Sequence, residues 1–413
     1  MIPLSCDTAP TFIWLLSRDL FKVPSSAIET TLLTEKCEHK MKDTGRAGAQ
    51  PTIDDVAHAA GVSRATAARV LGSYGYVGVD TSKRVFDAAK KLAYQPNQLA
   101  RSMATGRSKT IGVVIADVQN LYFARAIRAI TDTASAKGFA VILTTTDEDI
   151  ALEREAVRVL LDKRVDGLIV SPTSSIDVDH LVRARDRGCP IVLLDRRVPM
   201  LNADTFAIDN FGAAHQAVTS LITQGHRHIA LVSNAPSHGE KQYLISSVRE
   251  RIDGYRAALH DAEIEVLPDL IVLGGWDAEK LADKVRKLYA SPDRPSALLA
   301  TDSSVALVLL KVLREMNLSI PDEVSLITFD DADWTSAVTP PLTVVSQPIR
   351  ELATAATEDL VARLMGEAAD SGKETLLPAT LIERDSVSIA RTEPRLTTQS
   401  RKAGSKLPYS KPR

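Results

Sequence analysis

Between Thr52 and Leu71 the chain reads Thr-Ile-Asp-Asp-Val-Ala-His-Ala-Ala-Gly-Val-Ser-Arg-Ala-Thr-Ala-Ala-Arg-Val-Leu, and a single glycine divides two helix patterns. Thr52, with Asp55 three residues later, marks a helix start. Its hydroxyl and that carboxylate both answer backbone N–H groups that a first turn leaves free. Ile53, Val56, Ala57 and Ala60 then recur on one face. Gly61 suits the left-handed turn that closes the helix, Val62 enters the core, and Ser63 caps a second helix from Arg64 to about Leu71. Two short helices around so tight a turn leave few folds open. They form a helix-turn-helix, whose second helix fits a DNA major groove.

A third helix is expected with Thr81 as its cap, and Val85, Ala88, Ala89 and Leu92 close a three-helix core on Val56 and Val70. Formal charge over the 413 residues is only -2. Residues 51–109 nevertheless hold nine Lys and Arg against four Asp, an excess suited to phosphate. Tyr94-Gln-Pro96-Asn97-Gln-Leu-Ala100-Arg101-Ser-Met103-Ala104 then reads as a short helix capped by Asn97 and ended by Thr105-Gly106. Eight residues are too few to hold a helix alone in water, so this stretch is expected to order only when two copies pack on DNA.

From Thr110 the pattern changes to alternating strands and helices. Ile111–Ile115, Ala140–Leu143, Gly167–Val170 and Pro190–Leu194 read as strands, with helices from about Phe123 to Lys137 and over 150–163. A second series runs helix 211–224, strand His228–Ser233, helix Val248–Ala262, strand Leu270–Leu273, helix Ala278–Leu288 and strand Ala297–Thr301. It closes on helix Val305–Glu315 and strand Ser325–Phe329. The expected class is α/β: a helix-turn-helix headpiece and hinge helix, then two parallel sheets in series with helices on both faces. The domain boundaries follow: extension 1–50, DNA-binding domain 51–96, hinge and linker 97–109, two-lobed core 110–391, tail 392–413.

Much of this chain resembles the lactose-repressor (LacI/GalR) family of bacterial transcription regulators. The matching residues are Thr52-Ile53, Asp55-Val56-Ala57, Ala60-Gly61-Val62-Ser63, Thr66, Arg69-Val70-Leu71 and Thr81. Arg84-Val85, Leu92, Tyr94, Pro96-Asn97 and Ala100-Arg101 continue the match. The resemblance implies a core like periplasmic sugar-binding proteins and a dimer on a pseudo-palindromic operator. It places Arg64 and Ala65 where family members choose bases, with Arg69 one turn later; a guanidinium can grip a guanine edge through two hydrogen bonds. Ser63 and Thr66 are expected on phosphate, which sets register, and Thr52 is counted with the DNA-binding residues. Asn97, Ala100, Arg101 and Met103 match the hinge helix, with Met103 at the family's minor-groove wedge, a leucine in relatives. Ala67-Ala68 and Gly72 depart from the usual Val-Ser and Asn, so operator preference does not transfer.

Ligands of open sheets sit beyond the strands' carboxyl ends. The candidate contacts there are Asn120, Tyr122, Phe123, Asp195, Arg196, Arg251, Trp276, Thr301, Asp330 and Gln347. Asn120 to Phe123 resemble the family's Asn-Pro-Phe-Phe, with Leu121 for proline; Arg251 matches a ligand-contacting arginine; Thr301 stands where many relatives have Asn. A carboxylate, a guanidinium and an amide beside aromatics suit a sugar-like, polyhydroxylated effector. Asp330 and Arg251 are too costly to bury without a partner. Asp330-Asp331-Asp333 lacks further ligands, so no metal is expected; His226 and His228 read as turn residues.

No phosphate loop, nucleophile elbow or dinucleotide motif appears, so neither an enzyme nor a cofactor is expected. Cys6, Cys37 and Cys189 have no ligand spacing and suggest a reducing compartment. No apolar run is long enough for a membrane, and the expected location is the cytoplasm. Phe12–Leu16 is apolar but lacks the flanks of an export signal, which counts against a transport-linked solute-binding protein. Residues 1–50 read as a poorly ordered extension with Met41 as an alternative start, or as a regulatory arm. The tail reads as disordered. It shows no leucine heptads, which favours a homodimer over a tetramer.

Overall fold

The computed structural model describes residues 51–72, 75–94, 107–236, 245–369 and 371–391. The chain divides into two units: Met1–Thr110 with Arg164–Asp166, and Ile111–Lys163 with Gly167–Arg413.

In the first unit, α1 (Ile53–Ala60), α2 (Arg64–Gly72) and α3 (Val79–Lys91) enclose Val56, Ala57, Ala67, Val70, Val85 and Ala88. The Thr52 hydroxyl accepts from the Asp55 amide, and the Asp55 carboxylate accepts from the Thr52 amide at 2.7 Å, so α1 begins on a complete capping box. Gly61 closes α1 at φ 65°, where a side chain would be strained. Ser63 opens α2 by accepting from the Thr66 amide at 3.1 Å. Thr81 is not the cap of α3. The cap position falls three residues earlier, at Gly78, because the Ser82 amide already bonds the Gly78 carbonyl and Asp80 occupies the first turn. Thr52→Ala removes half of the capping box and is expected to cost about 1 kcal/mol, raising the open population of α1 about fivefold. Hydrogen exchange at residues 56–60 measures this, and unchanged protection would show that the cap contributes nothing.

At the end of this unit the Asp166 carboxylate accepts from the Ser108 amide at 2.7 Å and the Lys109 amide at 2.8 Å, pinning the chain as it enters the first strand. The hinge residues Asn97, Ala100, Arg101 and Met103 lie outside the described residues, as do the extension and the tail.

The second unit has two six-stranded sheets. The first is built from β1 (Thr110–Ile115), β2 (Ala140–Thr145), β3 (Gly167–Val170), β4 (Ile191–Leu194) and β5 (Asp204–Ile208). The second takes β6 (Ile229–Ser233), β7 (Ile271–Leu273), β8 (Ala297–Ala300), β9 (Ser325–Phe329) and β10 (Thr343–Ser346). The sheets are not in series. After β10 the chain returns to the first lobe with the helix Ile349–Met365, and β11 (Glu374–Leu377) pairs with β5. It then crosses again so that β12 (Thr380–Ile382) pairs with β10 in the second sheet, antiparallel. The strand orders are β11-β5-β4-β3-β1-β2 and β12-β10-β9-β8-β6-β7. Three strands of chain therefore join the lobes, at 208–210, 346–349 and 377–380. The helix Ile349–Met365 escaped the sequence pattern because it buries residues around much of its circumference, including Leu352, Ala353, Ala356, Leu360 and Val361.

His226 is no turn residue. It is buried, with hydrogen bonds to the Ser296 hydroxyl at 2.8 Å, the Ser325 hydroxyl at 3.0 Å and the Ser388 carbonyl at 3.0 Å. Burial holds its pKa below the usual histidine range, against the opposing pull of the Ser388 carbonyl. The imidazole thus clasps the final described segment onto the second lobe.

Candidate functional site

The carboxyl ends of the first strands in both sheets open on one cleft of about 470 Å³. All ten candidate contacts line it: Asn120, Tyr122, Phe123, Asp195, Arg196, Arg251, Trp276, Thr301, Asp330 and Gln347. Asp195 and Asp330 follow β4 and β9 directly, each with positive φ, 70° and 72°. Asp147, Glu148 and Trp276 line the same cleft and are also left-handed. Such backbone is costly outside glycine and concentrates where side chains must be aimed at a ligand.

Each side chain has a definite local job. Asn120 caps the helix Leu121–Ala136 by accepting from the Tyr122 amide at 2.9 Å, which leaves its amide nitrogen to donate elsewhere. The helix therefore begins at Leu121, two residues before the pattern suggested. Tyr122 and Phe123 are buried and meet edge to face, with centroids 5.2 Å apart. The Tyr122 hydroxyl, beside Asp195, completes no hydrogen bond within normal limits. Burial first, then Asp195 and Asp330, push its pKa well above the usual phenol value.

Arg196 donates to both oxygens of Glu148, at 2.8 and 2.5 Å, and to the Pro172 carbonyl at 3.1 Å. Its Nε lies 3.5 Å from Asp195, and its guanidinium is 5.8 Å from the Phe123 ring centroid. Burial alone would lower its pKa; Glu148 more than reverses this, so the group stays charged. Glu148 had no local signature in the sequence, since its role depends on a residue 48 positions away.

Arg251 comes from the helix Ser246–Asp261 and stacks on Phe329 at 4.0 Å. Its Nε donates to Asn210 at 2.8 Å and its Nη1 to the Thr301 carbonyl. Asp330 is 4% exposed; Gln347 donates to it at 2.7 Å and the Ser303 amide approaches at 3.4 Å. Burial raises the Asp330 pKa to about 6, and Arg251 only partly offsets that. Thr301 Oγ1 and Gln347 Oε1 are buried with no hydrogen-bond partner, two polar atoms open to a ligand. Asp302 serves the fold, capping the helix Ser303–Glu315 through the Ser304 and Val305 amides. Asn234 also lines the cleft and was not foreseen; its carbonyl accepts the Trp276 amide.

The lobes are tied on the flanks of the cleft. Arg125 donates to the Asp331 carbonyl at 2.7 Å and to Asp333 at 2.6 Å. The Arg197 amide donates to Ser246 at 2.7 Å, and its side chain reaches Glu250 and Glu374. The third acid of the 330–333 cluster, Asp331, pairs with Arg384 at 2.6 Å.

In the headpiece, Ser63, Arg64, Ala65 and Arg69 are exposed along α2, with Thr66 half-buried. Arg64 pairs with Asp54 at 3.2 Å while remaining 71% exposed, so DNA can replace that partner at little cost. The Ser63 and Thr66 hydroxyls bond each other at 2.9 Å. Thr52 is exposed at the start of α1.

Comparison with known proteins follows the same division. Residues 52–97 match the family described as bacterial regulatory proteins, lacI family, and residues 218–387 match the periplasmic binding protein-like domain. A Rhizobium rhizogenes protein named a probable opine utilization operon repressor is 77% identical over 181 residues, 44% of this chain and 91% of that relative. The HTH-type transcriptional repressor PurR of Photobacterium profundum is 32% identical over 314 residues, 76% of this chain and 92% of PurR. Among solved structures, the lac repressor dimer bound to operator and the anti-inducer ONPF superposes with a TM-score of 0.71 at 26% identity, covering 82% of this chain and all of that one. Headpiece, two-sheet core and relatives agree: this chain belongs to the lacI family of bacterial regulatory proteins, as a DNA-binding transcriptional repressor.

Proposed function

We propose that the chain binds a pseudo-palindromic operator as a homodimer and is controlled by a small sugar-like effector in the interlobe cleft. The observation that carries this reading is the convergence of aromatic, amide, guanidinium and carboxylate side chains on one cavity, with buried polar atoms of Tyr122, Arg196, Thr301 and Gln347 left unpaired. The name of the R. rhizogenes relative makes opines the first compounds to try. On DNA, Arg64, Ala65 and Arg69 read major-groove edges, while Thr52, Ser63 and Thr66 hold phosphate. The hinge residues Asn97, Ala100, Arg101 and Met103 enter the minor groove, with Met103 as the wedge.

Effector changes the balance between lobe arrangements, and with it the separation of the two hinge segments in the dimer. It must bind one arrangement more tightly, or it shifts nothing. The Arg125–Asp333 and Arg197–Glu250 pairs are contacts that such a change makes or breaks. The protein works in the cytoplasm, without cofactor, metal or catalysis. Circular-permutation gel shifts on a bound inverted repeat test the wedge. Met103→Ala is expected to straighten the DNA and weaken binding about tenfold; unchanged mobility and affinity would remove the wedge from this account.

A further inference from the structure

Among the described residues, six carboxylates line the cleft and only two guanidiniums answer them. Residues 237–244, outside the described part, hold one Glu and one Lys, so their formal charges cancel. Both guanidiniums already bond the protein itself, although Arg196 Nε is left without a hydrogen bond. Arg196 gives its Nη atoms to Glu148 and the Pro172 carbonyl, and Arg251 bonds Asn210 and the Thr301 carbonyl. Three of the carboxylates are committed too: Glu148 to Arg196, Asp302 to a helix start and Asp117 to the Gln119 amide.

Asp147, Asp195 and Asp330 remain; Asp147 is exposed, while the other two are buried. Asp195 has Arg196 Nε only at 3.5 Å, and Asp330 has one short bond, from a neutral amide. Both line the same cavity as the buried Tyr122 hydroxyl. The unpaired Gln347 Oε1 beside Asp330 is another acceptor, and Gln347 is 9% exposed. The site is thus short of positive charge among the described residues. A hydroxyl brings one donor and no charge; a protonated amine brings two or three donors and a full charge, and its bonds to carboxylate are charge-assisted. Trp276 lines the same cavity, and an indole face attracts a cation.

We propose that the effector carries a protonated amine beside its hydroxyls, as an amino-polyol or a sugar–amino-acid conjugate does, and that the Asp195 and Asp330 carboxylates hold the amine. This rests on the reading of the cleft as the effector site. It adds a charge to the ligand and a selection against neutral sugars.

Isothermal titration of the full-length protein at pH 7 tests it with matched pairs that differ in charge. These are glucamine against sorbitol, glucosamine against N-acetylglucosamine, and a hexitol–glutamine conjugate against its N-acetylated form. The amine member of at least one pair is expected to bind about tenfold tighter or more. Asp195→Asn is expected to abolish that preference while leaving operator binding intact, which shows that the variant is folded. Neutral members binding as tightly as their amine partners would overturn the amine and leave the cleft as an effector site. Equal preference in Asp195→Asn would overturn the role of that carboxylate. No binding in either series, by protein that still binds DNA, would count against the cleft reading and this inference together.

Discussion

Asp330→Asn is expected to make the ligand-free protein more stable at neutral pH and, at the same time, deaf to its effector. The buried carboxyl has its pKa raised to about 6 by burial, with Arg251 offsetting only part of the penalty. A group whose folded pKa lies above its unfolded value holds its proton more tightly in the fold. Its stabilising contribution is complete below about pH 4 and is lost as pH rises through about 6. At pH 7 the ionised carboxylate therefore costs about 3 kcal/mol, from 1.36 kcal/mol for each pKa step. Asparagine removes the charge and keeps an oxygen for Gln347, now 2.7 Å from Asp330. Thermal melts should show the variant several degrees above wild type at pH 7, with the difference vanishing near pH 4. Operator binding should persist and its response to effector should disappear. A lower melting temperature at pH 7, or a normal response, would contradict this assignment.

The second large effect is in the headpiece. Arg69 is exposed on α2, one turn beyond Ser63 to Ala65. Arg69→Ala is expected to lower operator affinity by roughly tenfold to a hundredfold, the 1–3 kcal/mol of a guanidinium on a guanine edge. Binding to random duplex should fall far less, because one phosphate-range charge is only a small part of the electrostatic attraction. Arg69→Lys should recover little, since an ammonium cannot make the paired contact. Effector binding in the core should be unchanged. Equal losses on operator and on random duplex would make Arg69 a phosphate contact, and no loss would remove it from the interface.

Where the code is local, the sequence was readable. Thr52 with Asp55, and Gly61 with Ser63, dictate α1, its stop and α2 because each cap acts within three residues. Strands β3 and β4 are unbroken apolar runs and β1 and β9 largely so, and strand ends mark where ligands meet an open sheet, so the residues lining the cleft were legible in the sequence. What escaped depended on distance or on competition. The return of the chain into the first lobe rests on β11 finding β5, some 170 residues earlier, and no short pattern announces such a partner. The helix Ile349–Met365 lost its period by being buried on several sides. Thr81 has the right chemistry for a cap, but Gly78 and Asp80 start the helix first. Glu148 reads as one more exposed acid until Arg196 folds against it, and His226 as a turn residue until Ser296, Ser325 and Ser388 surround it.

A repressor of this design needs a specific duplex whose hold depends on a molecule in the core. Selection of binders from random duplexes at physiological salt, followed by affinity titration of the winners with and without candidate amino-polyols and sugars, measures that directly. An inverted repeat bound at least a thousandfold better than scrambled sequence, the order expected for specific over non-specific DNA binding, with an affinity that one compound moves about tenfold or more, is the expected result. Full-length protein that enriches no inverted repeat, or that holds one with an affinity no compound changes and no cleft substitution alters, would contradict it.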